Sequence, residues 1–345
     1  MSDQEARKNA GRSWLFRVAK GLAGLALFGY VAGRIGVERV LGEFRAVSIF
    51  SLVVAVCVMV GGILVTSRRW QVIIQAQGTP IPFAAVLRVY LVGLFFNLAG
   101  AGGLGGYVYR VISLTKYTSR AGISAVSLVV DRGMDAIILP ALALLGLGGY
   151  GFVKADWPLM ALAIAGLPLY ASLVYGGARL GGSLTRKVGS GTPWFRGWPT
   201  FLEAFTDGIF RLRDHPALRG KLLGLSVLFQ CWVIMANFVI SWSLRFDIPL
   251  WQFVAFMPLI AIINLFPLTF NGLGVLQVAY VYFFGLGGVE PSKALTLSVV
   301  VVLGSFLLAG LGGLLFGWEC LAAAGARGRA GGDSMAPKVS GREEA

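Results

Sequence analysis

The chain has 345 residues, of which 57% are hydrophobic and 13% are charged, and its mean hydropathy is +0.76. Soluble domains carry about 25% charged residues, so this composition excludes an ordinary soluble domain and indicates an integral membrane protein. The net charge is +14, but the basic residues lie between apolar runs, as the positive-inside rule predicts. We therefore expect no nucleic acid partner. One histidine and three widely spaced cysteines give no metal-ligand spacing, and we expect no metal and no cofactor.

Nine apolar runs follow a basic N-terminus, residues 1–17, which we expect to be cytoplasmic. A membrane-spanning helix needs roughly 20 such residues. The main interruption is a basic loop at about 179–220, and residues 321–345 are small, polar and charged, which predicts a disordered cytoplasmic tail. We predict a single transmembrane domain over 18–320. The apolar runs cover 18–36, 47–66, 83–104, 121–149, 157–178, 221–245, 250–268, 273–288 and 293–318.

Two of the apolar segments are interrupted, one in each half of the chain. The first break is in "FFNLAGAGGLGGYVYR" (95–110) and the second in "PLTFNGLG" (267–274). If each interrupted segment enters and leaves on one side, every heavily basic segment becomes cytoplasmic. The predicted fold is thus an all-α polytopic membrane protein with about six full transmembrane helices and two broken, re-entrant hairpins. The hairpins would enter from opposite faces, which is compatible with an inverted repeat, and both termini would lie in the cytoplasm.

Glycines at these breaks have two interpretations. They unwind helices beside a shared cavity, as in transporters whose site lies near the bilayer midplane. Alternatively, they only allow close helix packing. The residues concerned are Gly102, Gly103, Gly105, Gly106, Gly272 and Gly274.

Ionisable residues inside the spans are candidate functional residues, because they are costly in lipid. Asp131, Arg132 and Asp135 fall within "LVVDRGMDAIIL", ~15 Å past Arg120 at about 1.5 Å per residue. The two aspartates share a helix face, and Arg132 can pair with Asp135 at i,i+3. They form either the wall of a charged cavity or an ion pair that locks helices together.

Arg110 follows the first glycine break by one short turn. Its guanidinium either binds a lipid phosphate through two hydrogen bonds or snorkels to the membrane surface. Asn97, Asn271 and Gln277 add uncharged hydrogen-bonding groups near the two breaks.

Taken together, these segments resemble the lysylphosphatidylglycerol synthase transmembrane family of flippase-like proteins. The resemblance covers roughly residues 10–320. Its departures are Ala101 where the family usually has proline, and Tyr107 and Gln277 where it usually has carboxylates. The segments that carry it are "SRRW" (67–70), "YLVGLFFNLAGAGGLGGYVYR" (90–110), "SLVVDRGMD" (127–135) and "PLTFNGLGVLQVAYVYFFGLGG" (267–288).

The resemblance implies a lipid head-group cavity in the cytoplasmic membrane. Because both family acids are replaced by neutral residues, an anionic or neutral polar lipid fits better than a cationic one. The leading expectation is a protein that translocates a polar lipid or lipid-linked precursor between leaflets. The alternative is an accessory subunit that presents a lipid to a separate lipid-modifying enzyme or glycosyltransferase. With no nucleophile–base pair and no paired carboxylates free of an arginine in the sequence, we do not expect an enzyme. The cavity residues are Asn97, Tyr107, Arg110, Asp131, Arg132, Asp135, Asn271 and Gln277.

Overall fold

The protein is all-α over the part of the chain that the structure describes, which confirms the predicted fold class. This computed structural model describes residues 22, 25–45, 47–99, 105–118, 121–154, 156–158, 160–161, 164–170, 172, 216–265 and 272–333. Its main helices are α1 Leu25–Ile35, α2 Val37–Arg45, α3 Ile49–Gln75, α4 Phe83–Ala99, α5 Gly105–Thr118, α6 Ala121–Lys154, α7 Pro216–Ser243, α8 Leu250–Leu265, α9 Val275–Leu286 and α10 Pro291–Asp333.

Among the described residues, four helices are long and apolar enough to cross a bilayer: α3, α6, α7 and α10. Only 22% to 28% of the residues in the most apolar stretch of each helix are buried inside the protein, so most of these side chains are not enclosed by it. Two further crossings were predicted at 18–36 and 157–178. Within the first, the described helix is the short α1, and the second is described only in part.

The long helices α3 and α7 pack antiparallel and define the two faces of the molecule. At one end Ser51 Oγ donates to the Ser243 carbonyl at 2.9 Å. Near the middle, Trp232 Nε1 donates to the Val58 carbonyl at 2.7 Å. We call the face at the end of α3 and the start of α7 face A, and the face at the start of α3 and the end of α7 face B.

Helices α4 and α5 form the first broken hairpin. They run antiparallel, because Gly106 at the start of α5 donates its N–H to the Asn97 side chain near the end of α4, at 2.8 Å. One turn further along α5, Arg110 lies against Gly93 of α4. With 17 and 14 residues, these helices are about 26 and 21 Å long, shorter than the ~30 Å hydrocarbon core.

Helices α8 and α9 form the second broken hairpin. Gln252 at the start of α8 donates to the Gly287 carbonyl after α9, at 2.9 Å, and Asn264 at the other end of α8 faces Gly272. The ring of Phe284 packs between those of Phe253 and Phe256, at centroid distances of 5.0 and 5.7 Å. These helices have 16 and 12 residues and are likewise too short to cross the core alone.

The two hairpins enter from opposite faces. At face A, Arg88 of α4 forms an ion pair with Glu319 of α10. At face B, α9 turns directly into α10, whose first residue is Pro291. The 28-residue separation of Pro291 and Glu319 corresponds to ~42 Å of helix. The hairpin tips meet between these levels, because Asn97 and Asn264 line one cavity together with Ser305 of α10.

The glycines at the tips serve both predicted purposes. A Cβ at Gly106 would overlap the Gly93 carbonyl and the Asn97 side chain, so this glycine permits close packing of α5 on α4. Gly272 and Gly274 have φ of +75° and +82°, a left-handed conformation that side chains disfavour, so they break the second segment. Gly105 is the first residue of α5, and Gly102 and Gly103 lie outside the described residues.

The C-terminal part of the chain differs from the sequence prediction. A disordered tail was predicted over 321–345, whereas helix α10 continues to Asp333; residues 334–345 lie outside the described residues. The stretch 321–333 holds five alanines, which are the strongest helix formers, together with four glycines, which are poor ones. A helix that is already formed extends at little cost, which allows α10 to continue through this stretch.

Candidate functional site

Arg69 lies at the centre of an ionic network between three helices. It is two turns before the end of α3, ~9 Å inside that helix, and its side chain is fully buried. Its Nε donates to Asp131 Oδ1 at 2.8 Å and its Nη1 to Asp135 Oδ1 at 2.7 Å, both on α6. Nη1 also donates to Ser226 Oγ on α7 at 3.3 Å. Charge-assisted hydrogen bonds therefore join α3, α6 and α7.

Arg132 extends this network on α6. Its Nη1 lies 3.5 Å from Asp135 Oδ2 and its Nη2 lies 3.9 Å from Asp131 Oδ2, so the pairing of Arg132 with Asp135 occurs as the sequence spacing predicts. The Arg132 side chain is 33% exposed, whereas both aspartates are buried. We call Arg69, Asp131, Arg132 and Asp135 the ionic cluster. It locks helices together, and Arg132 gives it one accessible charge.

Arg110 lies in a cage of aromatic rings. Its guanidinium carbon is 3.7 Å from the centroid of the Tyr90 ring, 5.8 Å from that of Trp70 and 5.9 Å from that of Tyr107. Cation–π contacts of this kind stabilise a cation without neutralising it. We call Arg110, Trp70, Tyr90 and Tyr107 the arginine cage. Arg110 is 2% exposed, which disagrees with a snorkelling side chain.

The buried guanidinium of Arg110 is short of hydrogen bonds. Its Nε and Nη1 are buried and find no acceptor among the residues that the structure describes. Leaving a buried donor unpaired is costly, more so when the group is charged. Tyr107 joins the cage to the ionic cluster, since the Arg132 guanidinium also lies over its ring at 5.2 Å. Together the two groups hold three arginines and two aspartates, so one positive charge is in excess and an acceptor with negative charge would be stabilised there.

A cavity of about 310 Å³ lies where the hairpin tips meet. We call it the tip cavity. Its size is at the lower end of the range of small-ligand sites, roughly 300–1,000 Å³. Most of its lining is apolar, and the polar side chains come from five helices: Asn97 of α4, Asn237 of α7, Asn264 of α8, Tyr280 of α9 and Ser305 of α10.

The structure divides the sequence-predicted site residues between these places. Two of them, Tyr107 and Arg110, lie in the arginine cage. Three others lie in the ionic cluster: Asp131, Arg132 and Asp135. Asn97 lies at the tip cavity. Gln277 does not line the cavity: it is buried, and its Oε1 accepts a hydrogen bond from the Gly274 N–H at 2.6 Å, so it caps α9. A buried helix end needs such a partner. Asn271 lies outside the described residues.

Sequence reasoning missed Arg69 as a buried residue. The predicted apolar run ended at residue 66, before "SRRW" (67–70), but α3 continues past it through Trp70 to Gln75. The signal was the apolar run that follows Arg69, which marks the arginine as lying inside the helix.

Sequence reasoning also missed the pairing of Tyr280 with Asn237. The Tyr280 hydroxyl donates to Asn237 Oδ1 at 2.6 Å, and the Asn237 amide donates to the Val233 carbonyl at 2.9 Å. No sequence spacing links residues 43 positions apart on separate helices.

Comparison with known proteins identifies a membrane protein family. Residues 17–313 match the family described as "Lysylphosphatidylglycerol synthase TM region". A "UPF0104 membrane protein" of Methanothermobacter thermautotrophicus is 27% identical over 260 residues, which cover 69% of this chain and 76% of that protein. No solved structure matches the chain. Since the family match spans most of the chain, including both hairpins and the ionic cluster, the protein belongs to the lysylphosphatidylglycerol synthase transmembrane region family.

Proposed function

We propose that the protein translocates a polar lipid, or a lipid-linked precursor, between the leaflets of the cytoplasmic membrane without covalent chemistry. The observation that carries this proposal is the meeting of two broken hairpins from opposite faces at a partly polar cavity, the tip cavity. Non-helical backbone at membrane depth is tolerated where protein or water surrounds it. In transporters, such broken segments surround the substrate site.

The tip cavity would lower the cost of moving a head group through the bilayer core. A charged group at the bilayer centre is expensive, and the cavity offers amide and hydroxyl groups in place of water. Asn97, Asn264 and Ser305 supply these groups at the level where the hairpins meet. The acyl chains need no such help, because they can remain in the surrounding lipid.

The arginine cage favours a head group that carries a phosphate. Two N–H groups of Arg110 have no acceptor among the described residues. Arg110 lies one turn along α5 from Gly106, which is hydrogen-bonded to the cavity residue Asn97. A phosphate oxygen could accept from these N–H groups after a small movement of α5, and guanidinium binds phosphate well. The excess positive charge and the neutral Tyr107 of the cage favour an anionic or neutral lipid over a cationic one.

We place face A in the cytoplasm. The chain from Arg179 to Lys221 carries eight lysines and arginines and leads into α7 at face A, as the positive-inside rule favours. Cysteines introduced singly at Lys116 and Glu290, both exposed, would test this after the exposed native cysteines are replaced by serine. We expect an impermeant thiol reagent outside the cell to label position 290 and not 116; the reverse would refute the orientation.

The translocation test uses purified protein in liposomes that contain head-group-labelled phospholipids of different charge. A membrane-impermeant reagent quenches only the label in the outer leaflet, which is about half of the total. Translocation brings inner-leaflet lipid to the outside, so more than half of the label is quenched. The matched variants are Ser305→Phe, which places a ring in the tip cavity, and Ser305→Ala, which leaves it open. We expect the first to block translocation and the second to preserve it.

Equal activity of the two Ser305 variants would contradict a route through the tip cavity. If the unmodified protein quenches no phospholipid beyond half, the accessory role is favoured instead. In that role the basic loop at 179–220 would bind a separate lipid-biosynthetic enzyme, and crosslinking of that loop in cells would recover such a partner.

A further inference from the structure

We propose that a second lipid site lies at face B, in the turn between α7 and α8, and that it binds a zwitterionic phospholipid head group. The phosphate would contact Arg245 and the ammonium group Asp247. A cavity of about 620 Å³ opens there, and its lining combines these two charged residues with Phe50, Trp242, Ser48 and Ser243. It is at the opposite end of α7 from the ionic cluster, so it is not part of the site described above.

The backbone at Arg245 is the first observation in support. Arg245 has φ of +60°, in the left-handed region that favours glycine. It ends α7 in a Schellman motif: its N–H donates to the Trp242 carbonyl at 2.9 Å and the Phe246 N–H donates to the Ser241 carbonyl at 3.0 Å. Glycine is the usual residue at this position. An arginine held there despite its conformational cost suggests that its side chain is needed, since backbone strain of this kind concentrates at functional sites.

The free charges of the turn are the second observation. Arg245 and Asp247 are both exposed, and neither side chain forms a hydrogen bond or an ion pair with any residue that the structure describes. They lie two residues apart yet do not pair with each other. Both charges are therefore available to a ligand that carries complementary charges at a short separation.

The apolar part of the lining identifies the ligand as a lipid. Trp242 is 68% and Phe50 63% exposed, and both lie at helix ends, where aromatic residues occupy the membrane interface. Acyl chains can pack against these rings while the head group reaches the turn. Because one cation and one anion line the cavity, a zwitterion matches it better than an anion does. A phosphodiester with an ammonium group, as in phosphatidylethanolamine, has this chemistry.

This inference does not rest on the proposed function, because the site could hold a lipid in a protein that translocates nothing. The test is binding of phosphatidylethanolamine, phosphatidylglycerol and chain-free glycerophosphoethanolamine to the purified full-length protein in detergent, measured by native mass spectrometry. We expect the first lipid to bind at least about tenfold more tightly than the other two.

The decisive variant is Arg245→Gly. Glycine suits the left-handed turn, so the lipid-free variant should unfold at the same temperature as the unmodified protein or higher, while its affinity for phosphatidylethanolamine falls about tenfold or more. Asp247→Asn should remove the preference over phosphatidylglycerol. The control is Lys154→Gln, which removes another exposed cation near face B and should change neither affinity nor preference.

Three results would overturn the proposal. Unchanged phosphatidylethanolamine affinity in Arg245→Gly would show that the arginine does not bind the head group. Equal affinity of the unmodified protein for phosphatidylethanolamine and phosphatidylglycerol would show that the charges of the turn do not select a zwitterionic head group. Full affinity for glycerophosphoethanolamine would show a site for soluble phosphate compounds rather than for a lipid.

Discussion

Replacing Arg69 by methionine should destabilise the protein strongly. Methionine fills much of the same volume but removes the only fully buried cation of the ionic cluster. Asp131 and Asp135 would each lose their shortest ion pair, at 2.8 and 2.7 Å. They would remain buried beside Arg132, whose nitrogens are 3.5 Å or more from the carboxylate oxygens.

The magnitude follows from the contacts that are lost. At an effective dielectric constant of about 20, two unit charges ~4 Å apart attract by about 4 kcal/mol, and Arg69 has two such partners. The cost of desolvating the arginine offsets part of this attraction. After the substitution, Arg132 still lies near both aspartates and reduces the cost of burying their charges. Removing one partner of a buried pair typically costs about 3–5 kcal/mol, and we expect the free energy of unfolding to fall by that amount.

The assay is equilibrium unfolding in mixed micelles with a rising fraction of denaturing detergent, followed by tryptophan fluorescence. Arg68→Met is the matched control, because Arg68 is exposed and hydrogen-bonds only to the neighbouring Gln71 among the described residues; its loss should cost less than about 1 kcal/mol. The double change Arg69→Met with Asp131→Asn leaves Arg132 opposite Asp135. It should be more stable than Arg69→Met alone by about 1–3 kcal/mol, a coupling typical of residues in contact.

Two results would refute the stabilising role of the Arg69 charge. One is a loss of stability in Arg69→Met no larger than in Arg68→Met, and the other is a further loss of stability when Asp131→Asn is added. The first result would mean that the ionic cluster contributes no stability. The second would mean that the aspartate contributes through hydrogen bonds to its neighbours rather than through its charge.

Three further predictions use the same unfolding assay. Gly106→Ala should open the first hairpin and so lower both the stability of the protein and lipid translocation. The control is Gly285→Ala, whose added Cβ meets open space and should raise stability by up to about 1 kcal/mol. Equal effects of the two substitutions would refute the close packing at the tip. Tyr280→Phe should lower the free energy of unfolding by about 1–3 kcal/mol, because it leaves the buried amide oxygen of Asn237 unpaired. Tyr282→Phe, on the exposed surface, should leave stability unchanged. An unchanged stability in Tyr280→Phe would contradict the hydrogen bond between Tyr280 and Asn237. Gln277→Leu should lower the free energy of unfolding by about 1 kcal/mol, because it removes the cap of α9. Gln277→Glu keeps the acceptor oxygen and should not lower it. Similar losses of stability in both variants would argue against the capping role.

Much of the architecture could be predicted from local patterns. Apolar runs of membrane length indicate spanning helices, since in lipid the backbone must satisfy its own hydrogen bonds. Glycine-rich breaks within apolar segments indicated hairpins, and the structure contains an antiparallel pair at each of the two positions, α4 with α5 and α8 with α9. The spacing of Arg132 and Asp135 sufficed to predict their pairing, because residues three apart on a helix are neighbours.

The fine placement of polar groups could not be predicted in this way. Gln277 was assigned to a head-group cavity but caps a helix, because a helix start inside the protein has unpaired N–H groups that need an acceptor. Arg69 follows the predicted apolar run of 47–66 but lies buried within the protein. Whether a polar residue meets a ligand, a backbone group or a buried charge depends on neighbours that are distant in sequence.

By itself, the sequence determined that this is an all-helical membrane protein with a broken segment in each half, because helix periodicity, span length and glycine content are local properties. Only the tertiary structure decided that the two breaks meet at one cavity and that Arg69 neutralises two aspartates more than 60 residues away. It also decided that Arg110 is held by aromatic rings and forms no ion pair with any described residue. These outcomes depend on which helix faces pack together. A buried charge is stabilised only by the groups that packing brings within a few ångströms of it.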